Sequence, residues 1–304
     1  MSALKTLPPK DPGEFPNWQF GTLDIEYQAE TQSIWMNYRT DAPQCYTLLM
    51  LLELLQFRDS LRDFYHAKMN AIWPCRYLVM ASKKADVFSL GGDLESFSTA
   101  IRNNDLAKLR IYAHACVDLV YSYSRSLDLP IVTLAAVHGQ CLGGAMEAAM
   151  AFDFIIAEEN AMFGLPEVMF NTFPGMGAVT MLSRKVGPAL AQRIILEGRS
   201  YSGRQMYDLE IVDALAAPGD IRSAARSWMA ANGETSWRRR RVIAEARRRA
   251  HPITYDELIR ITDLWAETSC RIGPNDLRHM ERLIRAQRRL SHMRSPDAPS
   301  DCSN

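Results

Sequence analysis

Two carboxylates stand beside glycine-rich turns. Glu147 ends the run Gly139-Gln-Cys-Leu-Gly-Gly-Ala-Met-Glu147, and Glu167 ends Phe163-Gly-Leu-Pro-Glu167. In the first run an apolar strand leads into a glycine turn and then a helix. Backbone N–H groups can approach a ligand there, and the helix N-terminus adds partial positive charge. That combination suits an oxyanion. Glu147 falls in the first turns of a helix reading AMEAAMAF, where a lone carboxylate is costly to bury unless it serves a purpose. Local capping or pairing is the structural alternative, and a Gly-Gly turn alone is a common loop feature. Pro166 stiffens the turn that presents Glu167, although an acidic residue in the first turn of a helix is also ordinary. A third feature is Phe88-Ser-Leu-Gly-Gly-Asp93. Gly91 and Gly92 offer another free N–H, and Asp93 suits a helix cap. His138, at the end of an apolar strand, reads as a hydrogen-bonded structural residue rather than a base.

The elements that must position these groups alternate. Thr22–Tyr27 and Ser33–Tyr38 alternate apolar and polar residues and read as two paired strands. Tyr46–Tyr65 is long, apolar and free of Gly and Pro, as a helix requires. Arg76–Ala81 reads as a buried strand, Asp86–Asp93 as a loop, and Phe97–Ser126 as one long helix ended by Pro130. Ile131–Val137 is continuously apolar, as expected of a strand buried on both faces. The Gly139–Gly144 turn, an Ala145–Ala151 helix and strands at Phe154–Ala157 and Ala161–Gly164 follow. After Gly175 the pattern is nearly all helical. Strands alternating with helices predict an α/β protein.

With 304 residues and a hydrophobic share of 47%, the chain can bury a large core, which excludes global disorder. The longest apolar run, Cys45–Phe57, contains Glu53 and is too short to span a bilayer. Met1–Phe20 has no apolar signal core. A cytoplasmic protein without membrane insertion is therefore expected. The six cysteines are scattered, with no CxxC pair and no histidine at zinc spacing; they read as free thiols, and no metal or cofactor is expected. The formal net charge is zero but unevenly spread: Ile221–Arg294 holds 17 Arg and no Lys against 8 acidic residues. This basic part invites an acidic partner or a phosphate-bearing ligand, unless it is simply a set of solvated helix faces. No aromatic-interleaved basic module supports nucleic acid.

Taken together, these runs resemble the crotonase (enoyl-CoA hydratase/isomerase) superfamily. Asp153, Ile155-Ile-Ala-Glu-Glu, Ala161-Met-Phe-Gly and Pro166-Glu also match, most strongly from about Val87 to Asp213 and weakly before about residue 75. The usual Asn-Arg-Pro and Asn-Ala-Leu of the ordinary hydratases are missing, and their Ala-Gly-Ala-Asp is here Leu-Gly-Gly-Asp. Instead, Val87-Phe-Ser-Leu-Gly-Gly-Asp-Leu, Gly164-Leu-Pro-Glu-Val, Phe173-Pro-Gly-Met-Gly-Ala, Ile261-Thr-Asp-Leu-Trp and Arg282-Leu-Ile-Arg-Ala-Gln-Arg-Arg look like the diffusible signal factor synthases. These make cis-2-unsaturated fatty acid quorum signals. With that branch the resemblance extends nearly from residue 20 to 290.

The resemblance implies an α/β crotonase spiral of ββα units with a C-terminal helical region. Its divisions would be a lead-in at 1–17, a core at 18–215, helices at 216–294 and a tail at 295–304. It implies that Gly92 and Gly144 form an oxyanion hole and that Glu147 and Glu167 are the acid/base pair, with Glu167 the base. Met162, Met169, Phe170, Phe173, Met176 and Trp265 are candidate walls for an acyl chain, with Leu90, Gly91, Leu142, Gly143, Leu165 and Gly177 beside them; any one of these is equally at home in a core. The implied activity is dehydration of a 3-hydroxyacyl group on acyl carrier protein followed by thioester hydrolysis. An ordinary hydratase or isomerase on acyl-CoA and a non-catalytic binding protein are the competing readings. The arginine runs Arg238–Arg241 and Arg247–Arg249 would suit an acidic carrier protein, the phosphates of CoA, or an exposed face. A homotrimer or hexamer, and contact with a sensor histidine kinase, follow from resemblance alone.

Overall fold

The computed structural model describes residues 15–68 and 73–292, with side chains described to residue 285. The expected tail at 295–304 and most of the lead-in lie outside these residues. Phe15, inside the expected lead-in, packs against Trp18, Tyr27, Phe64 and Trp73.

Two sheets form the frame, and the chain crosses from one to the other in each repeating unit. The larger contains β1 (Leu23–Gln28), β2 (Ser33–Tyr38), β3 (Tyr77–Ser82), β5 (Val132–Val137), β7 (Phe154–Glu158) and β10 (Ala214–Ala216), in the order β1-β2-β3-β5-β7-β10. Only β1 and β2 are antiparallel. The smaller contains β4 (Val87–Ser89), β6 (Gln140–Leu142), β8 (Met162–Gly164) and β9 (Ser200–Ser202), paired in that order. Thus β3, β5 and β7 each feed the large sheet, and the next strand of each unit feeds the small one.

The apolar strands are explained by helices on both faces. Strand residues alternate sides, so Leu78, Met80, Ala135 and Val137 join the main core, while Tyr77, Val79, Val132, Leu134 and Ala136 join a second core under α8 (Ile221–Ala230). The main core receives α1 (Leu48–Ala67), α2 (Leu94–Arg102), α3 (Leu106–Ser124), α4 (Gly144–Met150), α5 (Ala178–Val186), α6 (Pro188–Glu197) and α7 (Gly203–Asp208). The arginine-rich α9 (Gly233–Ala250) follows. Then α10 (Tyr255–Ser269) packs on α3, and α11 (Pro274–His292) crosses α2 and the 3-10 turn Pro166–Phe170. The fold is mixed α/β with C-terminal helices, as expected.

Three local expectations change. The single helix at Phe97–Ser126 is two, α2 and α3. Asn104 takes a positive φ of 49°, and Asp105 caps α3 by accepting from Lys108 N at 3.0 Å; Asn and Asp favour such breaks because their side chains bond nearby backbone. The loop at Asp86–Asp93 and the turn at Gly139–Gly144 contain β4 and β6. The C-terminal half is not wholly helical, because β9 and β10 lie within it. Among the described residues no helix is long and apolar enough to cross a membrane.

Candidate active site

The small sheet brings the three chemical runs together. β4, β6 and β8 are neighbouring parallel strands, so the segments leaving their C-terminal ends emerge on one edge. These are Leu90-Gly91-Gly92, Gly143-Gly144 and Leu165-Pro166-Glu167. Gly91 has φ 84°, and a Cβ there would lie 2.4 Å from Leu142 O and 2.8 Å from Gly144 N. Only glycine permits the two loops to approach this closely. A Cβ on Gly144 would lie 3.5 Å from Gly92 N, so the two amides are near neighbours. Gly144 opens α4, where the first-turn N–H groups have no carbonyl four residues back. Among the described residues neither amide has a hydrogen-bond partner. Two free N–H groups beside a helix N-terminus can hold a thioester oxygen as charge develops on it.

The glutamates are held differently. Glu147, on α4, is 1% exposed. Its Oε1 accepts from Met176 N and Ala178 N, each at 2.9 Å, and its buried Oε2 has no partner. Burial pushes its pKa up, partly opposed by the Ala178 and Met176 N–H groups. Glu167 sits in the 3-10 turn Pro166–Phe170. As a residue it is half-buried, but its Oε2 is buried without a partner. Burial, then the nearby Glu147 carboxylate, pushes its pKa up. The two N–H donors favour the ionised form of Glu147, whereas the neighbouring Glu147 charge disfavours the ionised form of Glu167. Glu167 was expected to be the base; two N–H donors on one oxygen suit Glu147 to that role as well. Gly143 makes room for the pair: its φ is 53°, and a Cβ there would meet Glu167 Oε1 at 2.7 Å.

Both carboxylates line a cavity of about 220 Å³ together with Gly92 and Gly144. Leu90, Leu94, Phe97, Ile101, Leu142, Phe170, Met176, Trp265, Met280 and Leu283 make most of its wall apolar. The segment that donates to Glu147 is pinned from α10. Thr262 Oγ1 donates to Gly175 O at 2.6 Å, Thr172 and Ser269 hydroxyls meet at 3.0 Å, and a Cβ on Gly175 would lie 2.3 Å from Trp265 Cβ. A smaller apolar void of about 40 Å³, lined by Tyr112, Cys116, Val120 and Ala148 among others, lies on another side of Glu147.

A profile described as enoyl-CoA hydratase/isomerase matches residues 68–258, more than half of the chain. The chain belongs to this family. It is 37% identical over 141 residues to the peroxisomal fatty acid beta-oxidation multifunctional protein AIM1 of Arabidopsis thaliana, which covers 46% of this chain and 19% of that protein. The chain matches no more than about a quarter of the length of the curated relatives it resembles. Among solved structures, human mitochondrial delta3-delta2-enoyl-CoA isomerase has a TM-score of 0.66 at 20% identity, covering 90% of this chain and 100% of that one. Pseudomonas aeruginosa DspI has a TM-score of 0.60 at 22% identity, covering 78% and 90%. The fold is thus the crotonase fold of the enoyl-CoA hydratase/isomerases.

Within this family chain, the expected site residues divide. Gly92, Gly144, Glu147, Glu167, Leu90, Leu142, Gly143, Phe170, Met176 and Trp265 line the cavity. Gly91 supports it from behind. Met162 and Met169 do not line it and are 38% and 48% exposed, while Leu165 is buried in the core. Phe173 packs against the core, and Gly177 precedes α5 with φ 139°. The alternation of β8 explains Met162: Phe163 is buried and its neighbour points outward. Sequence reasoning missed Leu94, Phe97, Ile101, Met280 and Leu283. Their spacing, three or four residues apart on α2 and α11, was the available signal. His138 does not line the cavity; Nε2 faces Lys84 O at 2.8 Å.

The arginine runs of α9 do not line the cavity. Most have a partner within the chain. Arg240 donates to Trp228 O at 2.9 Å and lies over that ring. Arg247 donates to Asp153 O at 2.6 Å, and Arg248 pairs with buried Asp153 at 2.5 Å. Arg238 pairs with Glu234 and Arg249 with Glu245. Arg247 and Arg248 fasten α9 to the turn between α4 and β7, Arg240 ties it to α8, and the other two pairs lie within α9.

Proposed function

We propose that this chain dehydrates a 3-hydroxyacyl group on acyl carrier protein to a cis-2-enoyl thioester, then hydrolyses the thioester to release a free 2-unsaturated fatty acid quorum signal. The observation that carries this reading is the unequal glutamate pair at one apolar cavity, beside two unbonded amides. The runs Ile261–Trp265 and Arg282–Arg289, which resemble the signal synthase branch and carry Trp265 and Leu283, supply the preference for this product over an ordinary hydratase. Gly92 and Gly144 N–H groups hold the thioester oxygen and stabilise enolate-like charge. Glu147, as carboxylate, takes the C2 proton. Glu167, as acid, protonates the departing 3-hydroxyl, which leaves as water.

Dehydration exchanges the two protonation states, and hydrolysis uses the exchanged pair. Glu167, now a carboxylate, removes a proton from water as its oxygen attacks C1, and the same two amides hold the resulting oxyanion. The C1–S bond then breaks, and Glu147 returns its proton to the leaving thiolate. Both groups end as they began. The apolar wall from Leu90 to Trp265 would take the acyl chain. A homotrimeric or hexameric assembly, and a sensor histidine kinase as partner, belong to the same reading.

The family match and the beta-oxidation relative favour a second reading, reversible hydration on CoA thioesters. Mass spectrometry of the protein with 3-hydroxydodecanoyl acyl carrier protein, and separately with the CoA thioester, decides between them. Free 2-enoic acid and released carrier are expected. A 2-enoyl thioester that stays on CoA, with no acid formed, would establish the second reading instead.

A further inference from the structure

We infer that the outer face of α11 is the docking surface for an acidic carrier protein, whose acyl arm then enters the cavity beneath the same helix. This inference rests on the function proposed above. α11 has two faces with different work. Its inner face contributes Met280 and Leu283 to the cavity wall, with Leu277 and Ile284 packed on the core. It is fastened across the site by an Arg102–Glu281 ion pair to α2 and by Asn171 Nδ2 donating to Asp276 at 2.9 Å from the segment after Glu167. Its outer face carries Arg278, Arg282 and Arg285, all exposed. At spacings of four and three residues these fall on one stripe, about 10 Å long.

The contrast with α9 gives the stripe its meaning. There most arginines have an acidic or carbonyl partner within the chain. On α11, Arg282 and Arg285 form no ion pair among the described residues, and Arg278 reaches only the side chain of Asn275. Like charges one turn apart weaken a helix. Three together, on the helix that covers the cavity, leave positive charge available to an external acidic surface beside the wall that Met280 and Leu283 form. Complementary charge at such a rim steers encounter and sets register.

The test is binding of holo acyl carrier protein by titration calorimetry, alongside turnover of 3-hydroxydodecanoyl acyl carrier protein and of the small thioester 3-hydroxydodecanoyl-N-acetylcysteamine. The variant is Arg278→Glu with Arg282→Glu and Arg285→Glu, and the same three positions changed to Gln form a milder companion. The reversed variant is expected to weaken carrier binding and raise the carrier KM by at least about tenfold, with the Gln variant intermediate. Turnover of the small thioester should stay within about twofold, which also reports that the variant is folded. Added salt should weaken wild-type carrier binding. Unchanged carrier affinity in both variants would overturn the inference, as would equal weakening toward coenzyme A, which would assign the stripe to phosphates. Carrier binding that depends on the stripe without any dehydration or hydrolysis would instead overturn the proposed reaction and leave the docking surface standing.

Discussion

Glu147 and Glu167 are the same residue type in the same cavity, yet the backbone treats them unequally. Glu147 stands on a helix, one oxygen held by two N–H donors from the segment pinned under α10. Glu167 stands on a 3-10 turn and faces the first carboxylate with its buried Oε2 unpartnered. Burial raises both carboxyls, but only Glu147 has backbone donors that favour its charged form.

The strongest way to break this comparison is to remove each carboxylate separately. Glu147→Gln and Glu167→Gln are each expected to lower kcat for dehydration by about 10³-fold or more. With the 2-enoyl thioester supplied directly, Glu167→Gln should lose hydrolysis more completely, because Glu167 activates the water while Glu147 only assists the thiolate. Rapid-quench assays of both steps check this. If either variant kept near-wild-type turnover, the two-carboxylate mechanism would fail. A smaller effect is expected from Gly143→Ala, because its Cβ falls 2.7 Å from Glu167 Oε1 at a φ of 53°. A loss of roughly 10²-fold in kcat, with the protein still folded by circular dichroism, would report displacement of Glu167.

The pH dependence sharpens the same contrast. Rate should rise as Glu147 ionises and fall as Glu167 ionises. Burial raises both, and the Glu147 charge raises Glu167 further. Both limbs of kcat/KM should then lie above the ordinary glutamate range, and a flat profile from roughly pH 6 to 9 would contradict the assignment. Stability carries the opposite sign. A carboxyl whose folded pKa is raised contributes its stability below its unfolded pKa and loses it as pH rises through the folded value. Glu167→Gln should therefore match wild type near pH 4 and exceed it in alkaline buffer by about 1–3 kcal/mol, read by urea unfolding.

What was legible beforehand follows from how specific each signal is. Gly92, Gly144, Glu147 and Glu167 could be brought together beforehand because the runs that carry them jointly resemble one family, although a Gly-Gly turn or a first-turn carboxylate alone is ordinary. The unequal surroundings of the glutamates could not be read, because the donors to Glu147 lie 29 and 31 residues further along the chain. β4, β6 and β9 are three residues each, too short for a period to show. The walls from α2 and α11 were missed because Phe97, Ile101, Met280 and Leu283 have the same helical spacing whether they face a core or a cavity. The arginines of α9 looked like a surface because charge alone says nothing about partners elsewhere in the fold.

The smallest expected effect tests that last ambiguity on the apolar side. Met162 and Met169 were expected at the acyl chain but are exposed and absent from the cavity wall, whereas Trp265 is 4% exposed and lines it, with Phe97 edge-on at 5.2 Å. Trp265→Phe keeps an aromatic ring but shortens the wall, so the KM for a long acyl chain should rise by about five- to tenfold, with a smaller change for a short one. Met162→Ala combined with Met169→Ala should change kcat and KM by less than about twofold, since surface side chains away from the site rarely matter more. Steady-state kinetics on thioesters of two chain lengths separates these cases. A selective loss of long-chain substrate in the double methionine variant would move the acyl chain to the outer surface of β8 and away from Trp265.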